Sequence, residues 1–380
     1  MKKNPLLDLE AFGQSIWMDF IHRKMISSGE LQHLIEEDGI SGVTSNPAIF
    51  EKAISESHAY DEAIHALILK DKTVDEIYRV LAVEDIQSVA DLLRPTYNKT
   101  DGRDGFVSLE VSPKLAHNTT STIAEARLLW SLVNRPNKMI KVPATLEGLP
   151  AIRQLIGEGI NVNITLLFGL PRYRDVADAY ISGLEILAAK GKPLKQVASV
   201  ASFFLSRIDV LVDPMLEKIM KTDSKQVGIA ERLHGQIAIA SAKVAYQMYK
   251  EIFGSDRFVN LANRGARTQR LLWASTSSKN PAYNDTKYVE ALIGPDTINT
   301  VPIETLTAYR DHGHPEPSLD QMVPEAYQWL DDLSSVRIDL GAVTQQLEDE
   351  GVEKFIVAFD QLMASLKEKK ATFNQDTSTK

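Results

Sequence analysis

Three charged residues stand inside apolar runs of this 380-residue chain in a pattern that could carry covalent carbonyl chemistry. They are Lys141 in Met139-Ile140-Lys141-Val142-Pro143, Glu110 in Val107-Ser108-Leu109-Glu110-Val111, and Asp19 in Ile16-Trp17-Met18-Asp19-Phe20-Ile21. In desolvated surroundings an ammonium loses hydration and its pKa falls, so neutral amine becomes available near neutral pH. A neutral amine adds to a ketone or aldehyde to give a carbinolamine and then a Schiff base, whose protonated form is an electron sink for C–C cleavage. Those steps need proton transfers, for which Glu110 and Asp19 are the right residue types if the chain brings them to Lys141. Any one of the three reads equally well as half of a buried ion pair. Two acids and a lysine on three separate runs are costly to desolvate without a catalytic return.

Further polar side chains interrupt apolar segments. In Asn161-Val162-Asn163-Ile164-Thr165, period-2 alternation puts three polar residues on one face. Asn161, nearest the N-terminal end, reads as a solvated strand end, whereas Asn163 and Thr165 are the site candidates. Asn46, before Pro47, is both a turn starter and a candidate, because it follows directly on an apolar segment.

The elements that must position these residues are short β-branched or apolar segments at about 14–21, 40–45, 106–112, 138–144, 161–168, 196–203, 271–276 and 298–303. Helical periodicity between them, as in Ile123, Ala126, Arg127, Trp130 and Val133, predicts alternating strands and helices and therefore a parallel sheet. Eight units suit a closed barrel, although eight also fit an open doubly wound sheet. The charged residues fall toward the C-terminal ends of their strands, where barrel enzymes build their sites. Two spacers exceed one helix: 47–105, with helical patterns near 58–69 and 74–94, and 206–270, with patterns near 206–221 and 227–252. The stretch His312-Gly313-His314-Pro315-Glu316-Pro317 separates the barrel, about 12–310, from a C-terminal helical extension of about 318–370. Its last helix, about 340–370, has Val343, Leu347, Val352, Phe355, Ile356 and Phe359 at apolar positions, and the polar end from Thr372 is expected to fray. The expectation is one catalytic domain over 1–380, a (β/α)8 TIM barrel with added helices after strands 2 and 6.

A formal charge of −9 disfavours nucleic acid or an anionic membrane as the main partner, and leaves phosphorylated small molecules open. The chain has no cysteine, which removes thiolate chemistry and suits a reducing cytoplasm. The start Met1-Lys2-Lys3-Asn4-Pro5 leads into Asp8 and Glu10 rather than an apolar signal core. His312 and His314 read as turn residues rather than metal ligands.

The segments GVTSNPAI at 42–49, VSLEVS at 107–112, IKVPAT at 140–145, NVNITLLF at 161–168 and ASFFLSRID at 201–209 together resemble the transaldolase family, over about residues 12–310. The resemblance implies a barrel enzyme that transfers a dihydroxyacetone unit between sugar phosphates in the pentose phosphate pathway, with no metal or organic cofactor. It implies that Lys141 forms the Schiff base, Asp19 takes the C4 hydroxyl proton, and Glu110 moves protons through a water that Thr165 helps to hold. It further implies substrate contacts by Asn46, Asn163, Ser202 and Phe204, and phosphate binding by Arg207 and Ser275. A surface ion pair with Asp209 is the less favoured alternative reading of Arg207. Two positions beyond Ser275 the family pattern has an arginine, but this chain has Ser277, and Lys279 is the candidate for the missing charge. Partners expected are sugar phosphates, with no nucleic acid and no membrane, in a cytoplasmic monomer or homodimer. A Schiff-base aldolase that cleaves without transfer, and a silent sugar-phosphate-binding barrel, are the competing readings.

Overall fold

The structure, a computed structural model, describes residues 4–378, with side chains to Phe373, so the charged start at residues 1–3 lies outside the described residues. The apolar segments become eight strands: β1 (Gln14–Met18), β2 (Gly42–Val43), β3 (Phe106–Glu110), β4 (Lys138–Pro143), β5 (Val162–Leu167), β6 (Ser199–Phe204), β7 (Arg270–Ala274) and β8 (Thr297–Val301). They pair in chain order, and β1 pairs parallel with β8, so the sheet is closed. Closure decides for the TIM barrel over the open sheet. Every residue of β3 through β8 is buried, because helices cover the outside and packed side chains fill the inside.

All the strands but β6, which runs one residue further to Phe204, stop short of the expected C-terminal limits. Asp19, Thr44 to Asn46, and Ser275 to Thr276 leave the sheet. Asn46 caps the helix Pro47–Ser55, its Oδ1 accepting from Ile49 N at 3.0 Å, and Ser275 turns the chain with a left-handed φ of 55°. A strand that must feed a helix ends where polar side chains can take over its backbone groups.

At the N-terminal end the barrel is plugged by polar groups. Arg270 Nη1 lies 3.2 Å from Asp104, and its Nη2 donates to Ser15 Oγ at 2.5 Å. Trp17 Nε1 donates to Asp104 at 2.8 Å, and its ring leaves room only for glycine at Gly42, whose Cβ would lie 2.4 Å away. Asn161, expected to be solvated, is buried here instead. Its Nδ2 donates to Lys138 O at 3.0 Å and its Oδ1 accepts from Ala198 N at 2.9 Å, which ties the starts of β4 and β6.

The insertion after β2 holds Pro47–Ser55, which periodicity missed, then Asp61–Ile68 and Val74–Lys99. The insertion after β6 holds Ser206–Thr222, Val227–Leu233, Ile237–Phe253 and Asp256–Ala262. The single helix expected over 227–252 is therefore broken, at Gly235, where φ is +71°. A Cβ at Gly235 would lie 2.6 Å from Tyr283 Oη. At the C-terminus Val323–Ser335 precedes Leu340–Ser378, and the stretch expected to fray remains helical to Ser378, with the last two residues outside the described ones.

The final helix lies against the barrel and its insertions. Arg172 Nη1 donates to Ala144 O at 2.7 Å while its Nη2 lies 3.6 Å from Glu348, Phe359 meets Tyr78 edge-on at 5.5 Å, and Lys369 reaches Asp61 at 2.6 Å. No described helix is long and apolar enough to cross a membrane.

Candidate active site

Register puts the singled-out charges in one row. Glu110 pairs with Lys141, Lys141 with Asn163, and Asn163 with Val200 across β3, β4, β5 and β6. Hydrogen-bonded neighbours in a parallel sheet point to the same face, so all of these side chains enter the barrel. Lys141 Nζ donates to Ser45 O at 2.8 Å and lies 3.2 Å from Glu110 Oε2. That ion pair is almost wholly buried, with side-chain exposures of 5% and 3%. At such burial, loss of one partner leaves an uncompensated charge, at a cost of about 3–5 kcal/mol.

The Glu110 contact falls short of hydrogen-bond geometry, and both carboxylate oxygens and Thr165 Oγ1 lack a hydrogen-bond partner among the described residues. Buried polar atoms of this kind call for water or substrate. Burial pushes the Glu110 carboxyl up to about 6, against the opposing charge of Lys141 and with a smaller upward push from Asp19. Asp19, one residue beyond β1, opens partly to the cavity. Desolvation raises its pKa, while Lys141 and the Thr44 hydroxyl oppose the rise. Thr44 Oγ1 donates to Asp19 at 2.7 Å and pairs with Thr300 at 2.9 Å, which fixes the carboxylate.

Asn163 is held from both sides, donating to Ser108 Oγ at 3.0 Å and accepting from Ser202 Oγ at 2.7 Å. Asn46, its Oδ1 spent on the helix cap, has its amide NH2 left as a donor. A cavity of about 170 Å³ at the C-terminal mouth brings together Asp19, Asn46, Lys141, Thr165, Ser202 and Phe204 with Arg207, Ser275 and Lys279. Glu110 and Asn163 are buried in the row from which Lys141 rises.

Arg207 does not pair with Asp209. That carboxylate accepts from Ala238 N and Tyr288 Oη at 2.8 and 2.7 Å and faces Lys287 at 3.4 Å, because Ser206–Thr222 turns it away from the mouth. Arg207 makes no ion pair among the described residues, and burial lowers its pKa against the charge of Glu350. Lys279 Nζ donates to Ser277 Oγ at 2.5 Å, so a cation stands at the position lacking the arginine. The cavity is thus cationic at one part of its rim and holds a buried lysine with two acids at its base.

Sequence reasoning missed Thr44, Thr300, Thr276, Glu304 and Phe355, which also line the cavity. Thr300 sits inside a strand and could have been flagged as Asn163 was. Phe355 gave no signal, since an apolar helix position looks the same over a core or over a cavity. Among the described residues no three His, Asp or Glu side chains are arranged to hold a metal ion.

Residues 16–366 match the family described as transaldolase/fructose-6-phosphate aldolase. The chain is 48% identical over 373 residues to a transaldolase of Trichodesmium erythraeum, covering 97% of this chain and 98% of that protein. It is 48% identical to transaldolase 2 of a Nostoc species, over 97% of this chain and 98% of the relative, and 47% identical to a transaldolase of Saccharopolyspora erythraea, over 94% and 95%.

Proposed function

The chain belongs to the transaldolase/fructose-6-phosphate aldolase family and is a transferase of the transaldolase type acting on sugar phosphates, and from that premise we propose that it works through a Schiff base at Lys141. The donor is a ketose phosphate, fructose 6-phosphate or sedoheptulose 7-phosphate. The acceptor is an aldose phosphate, glyceraldehyde 3-phosphate or erythrose 4-phosphate. The observation that carries this reading is the buried Lys141 ammonium 3.2 Å from Glu110, in a cavity that Asp19 also lines.

Lys141 Nζ, once neutral, adds to the C2 ketone. Glu110, acting through a water bound by Thr165, protonates the leaving hydroxyl of the carbinolamine, and water departs to give the iminium. Asp19 removes the C4 hydroxyl proton as the C3–C4 bond breaks, the bond's electrons pass into the iminium, and an enamine of dihydroxyacetone remains while the aldose phosphate leaves. The enamine carbon then attacks the acceptor aldehyde, Asp19 returns the proton to the new alkoxide, and water added through Glu110 releases the product ketose.

Asn46, Asn163 and Ser202 hold the three-carbon fragment in a fixed orientation between departure and arrival, which removes the entropic cost of a second encounter. Phe204 covers the reacting centre. Arg207, Ser275 and Lys279 take the phosphate, Arg207 as a fork of donors and Lys279 as a point charge beside Ser277. The reading includes a cytoplasmic location, one catalytic domain that takes in the C-terminal helix, a monomer or homodimer, and no resident metal or organic cofactor.

Borohydride reduction in the presence of fructose 6-phosphate, followed by peptide mass spectrometry, tests the reading. Irreversible labelling of the Lys141 peptide, absent in Lys141→Ala, is expected. Labelling of another lysine, or none with fructose 6-phosphate still bound, overturns it.

A further inference from the structure

The final helix does more than cover the barrel. Phe355 lines the cavity together with Lys141, Phe204, Arg207 and Lys279, although some two hundred residues separate it from Lys141 in the chain. One turn earlier, Gly351 lets the helix settle on the end of β5, where a Cβ would stand 3.0 Å from Leu166 Cδ2. The sheet is irregular there, with a bulge between Ile164 and Leu167 and a left-handed φ of 55° at Leu166. The helix is held in this seat by Arg172, which reaches both Ala144 O and Glu348, and by Lys114, whose Nζ lies 2.6 Å from Asp360. Glu350 on the same helix is the acidic charge felt by Arg207, which brings this stretch of helix to the phosphate-binding part of the cavity.

Phe359, one turn on, packs against Tyr78 of an insertion helix, whereas Phe355 is the aromatic of this helix that reaches the cavity. At about 170 Å³ the cavity is smaller than the ~300–1,000 Å³ usual for ligand sites, so removing one phenyl ring from its wall is a large change in the space available. Such a wall limits the span available between Lys141 and the cations at Arg207 and Lys279.

We propose that Phe355 is a specificity-determining residue, a wall supplied by the C-terminal helix that sets the length of ketose phosphate the cavity accepts. The inference rests on the Schiff-base reading of Lys141 and adds to it the choice between six- and seven-carbon donors. Removing the ring enlarges the cavity on the phosphate side, so the longer donor gains more than the shorter one.

The test uses the full chain with Phe355→Ala and Phe355→Leu, and measures kcat/KM for sedoheptulose 7-phosphate and fructose 6-phosphate with a common acceptor for each comparison. Phe355→Ala is expected to raise the seven-carbon to six-carbon ratio by about tenfold, the scale on which one methylene of pocket space discriminates. A rise of less than about threefold, or a fall, overturns the proposal, because a purely structural role would lower both donors together. Should Phe355→Ala fail to fold by circular dichroism, Phe355→Leu is read by the same criterion. Borohydride labelling of Lys141 in the unmodified chain separates the two failures. An unlabelled parent removes the Schiff-base reading, and a labelled parent with an unchanged ratio removes only the role of Phe355.

Discussion

At Lys141 and Glu110 two opposite charges share a place from which water is nearly excluded, with Lys141 donating to Ser45 O on one side and the Glu110 oxygens left without a hydrogen bond among the described residues on the other. Desolvation rather than repulsion sets the Glu110 value of about 6, against 4.5 for an ordinary glutamate. The folded chain therefore holds this proton more tightly than the unfolded one. Its stabilising contribution is full below about 4.5 and is lost as pH rises through about 6. In urea unfolding across that window, Glu110→Gln should flatten the decline in stability that the parent shows. Activity runs the other way. In the proposed reaction the Glu110 carboxylate first takes the Lys141 ammonium proton through the water and then returns it to the carbinolamine hydroxyl, so the resting enzyme must start with Glu110 ionised. Accordingly, kcat/KM for the ketose should climb with pH through about 6, and Glu110→Gln should lose that limb together with about 10²–10⁴ of the rate. A full-rate Gln variant with the limb intact would remove Glu110 from proton transfer. These residues were legible because a charge inside an apolar strand is anomalous wherever it occurs. Thr44 lies just past β2, where a polar residue is ordinary, and Thr300, inside β8, carried the same signal as Thr165 but no charge to draw attention to it.

Between residues and molecule, the insertion after β6 shows where periodicity stops informing. Helical spacing runs unbroken from 227 to 252, yet the helix divides at Gly235 because Tyr283, from the loop after β7, approaches there and donates to Asp213 at 2.6 Å. Lys287 Nζ donates to Gly235 O at 2.6 Å, so the break clamps the loop that carries Ser277 and Lys279. Gly235→Ala meets both a left-handed backbone and Tyr283 Oη, and should destabilise the chain by about 1–3 kcal/mol. Since the clamp sets the loop proposed to bind phosphate rather than the lysine, KM for sugar phosphates should rise more than kcat falls. Steady-state kinetics and a urea titration measure both. An unchanged urea midpoint would mean that Tyr283 moves aside at no cost.

Over the whole molecule, the C-terminal helix joins what the barrel alone leaves separate. Leu347, Phe355, Phe359, Leu362 and Leu366 are buried by it, against the mouth and the insertion after β2. Deleting residues 340–380 should expose that apolar surface, raise binding of a hydrophobic dye, lower the unfolding midpoint and cut kcat/KM at least about tenfold. A truncated chain of full activity would make the helix an appendage.

The sequence by itself determined the eight strand segments and the out-of-place polar residues Glu110, Lys141 and Asn163 within them, because burial period and misplaced charge are local properties of a chain. Only the tertiary structure decided that the sheet closes, that Asp209 faces Lys287 rather than Arg207, that Lys279 reaches Ser277, and that Phe355 joins Lys141. The physical reason is that each of these is a distance set by packing of the folded chain. A carboxylate two residues from an arginine, or a phenylalanine on an apolar helix stripe, carries no mark of which neighbour the closed barrel will give it.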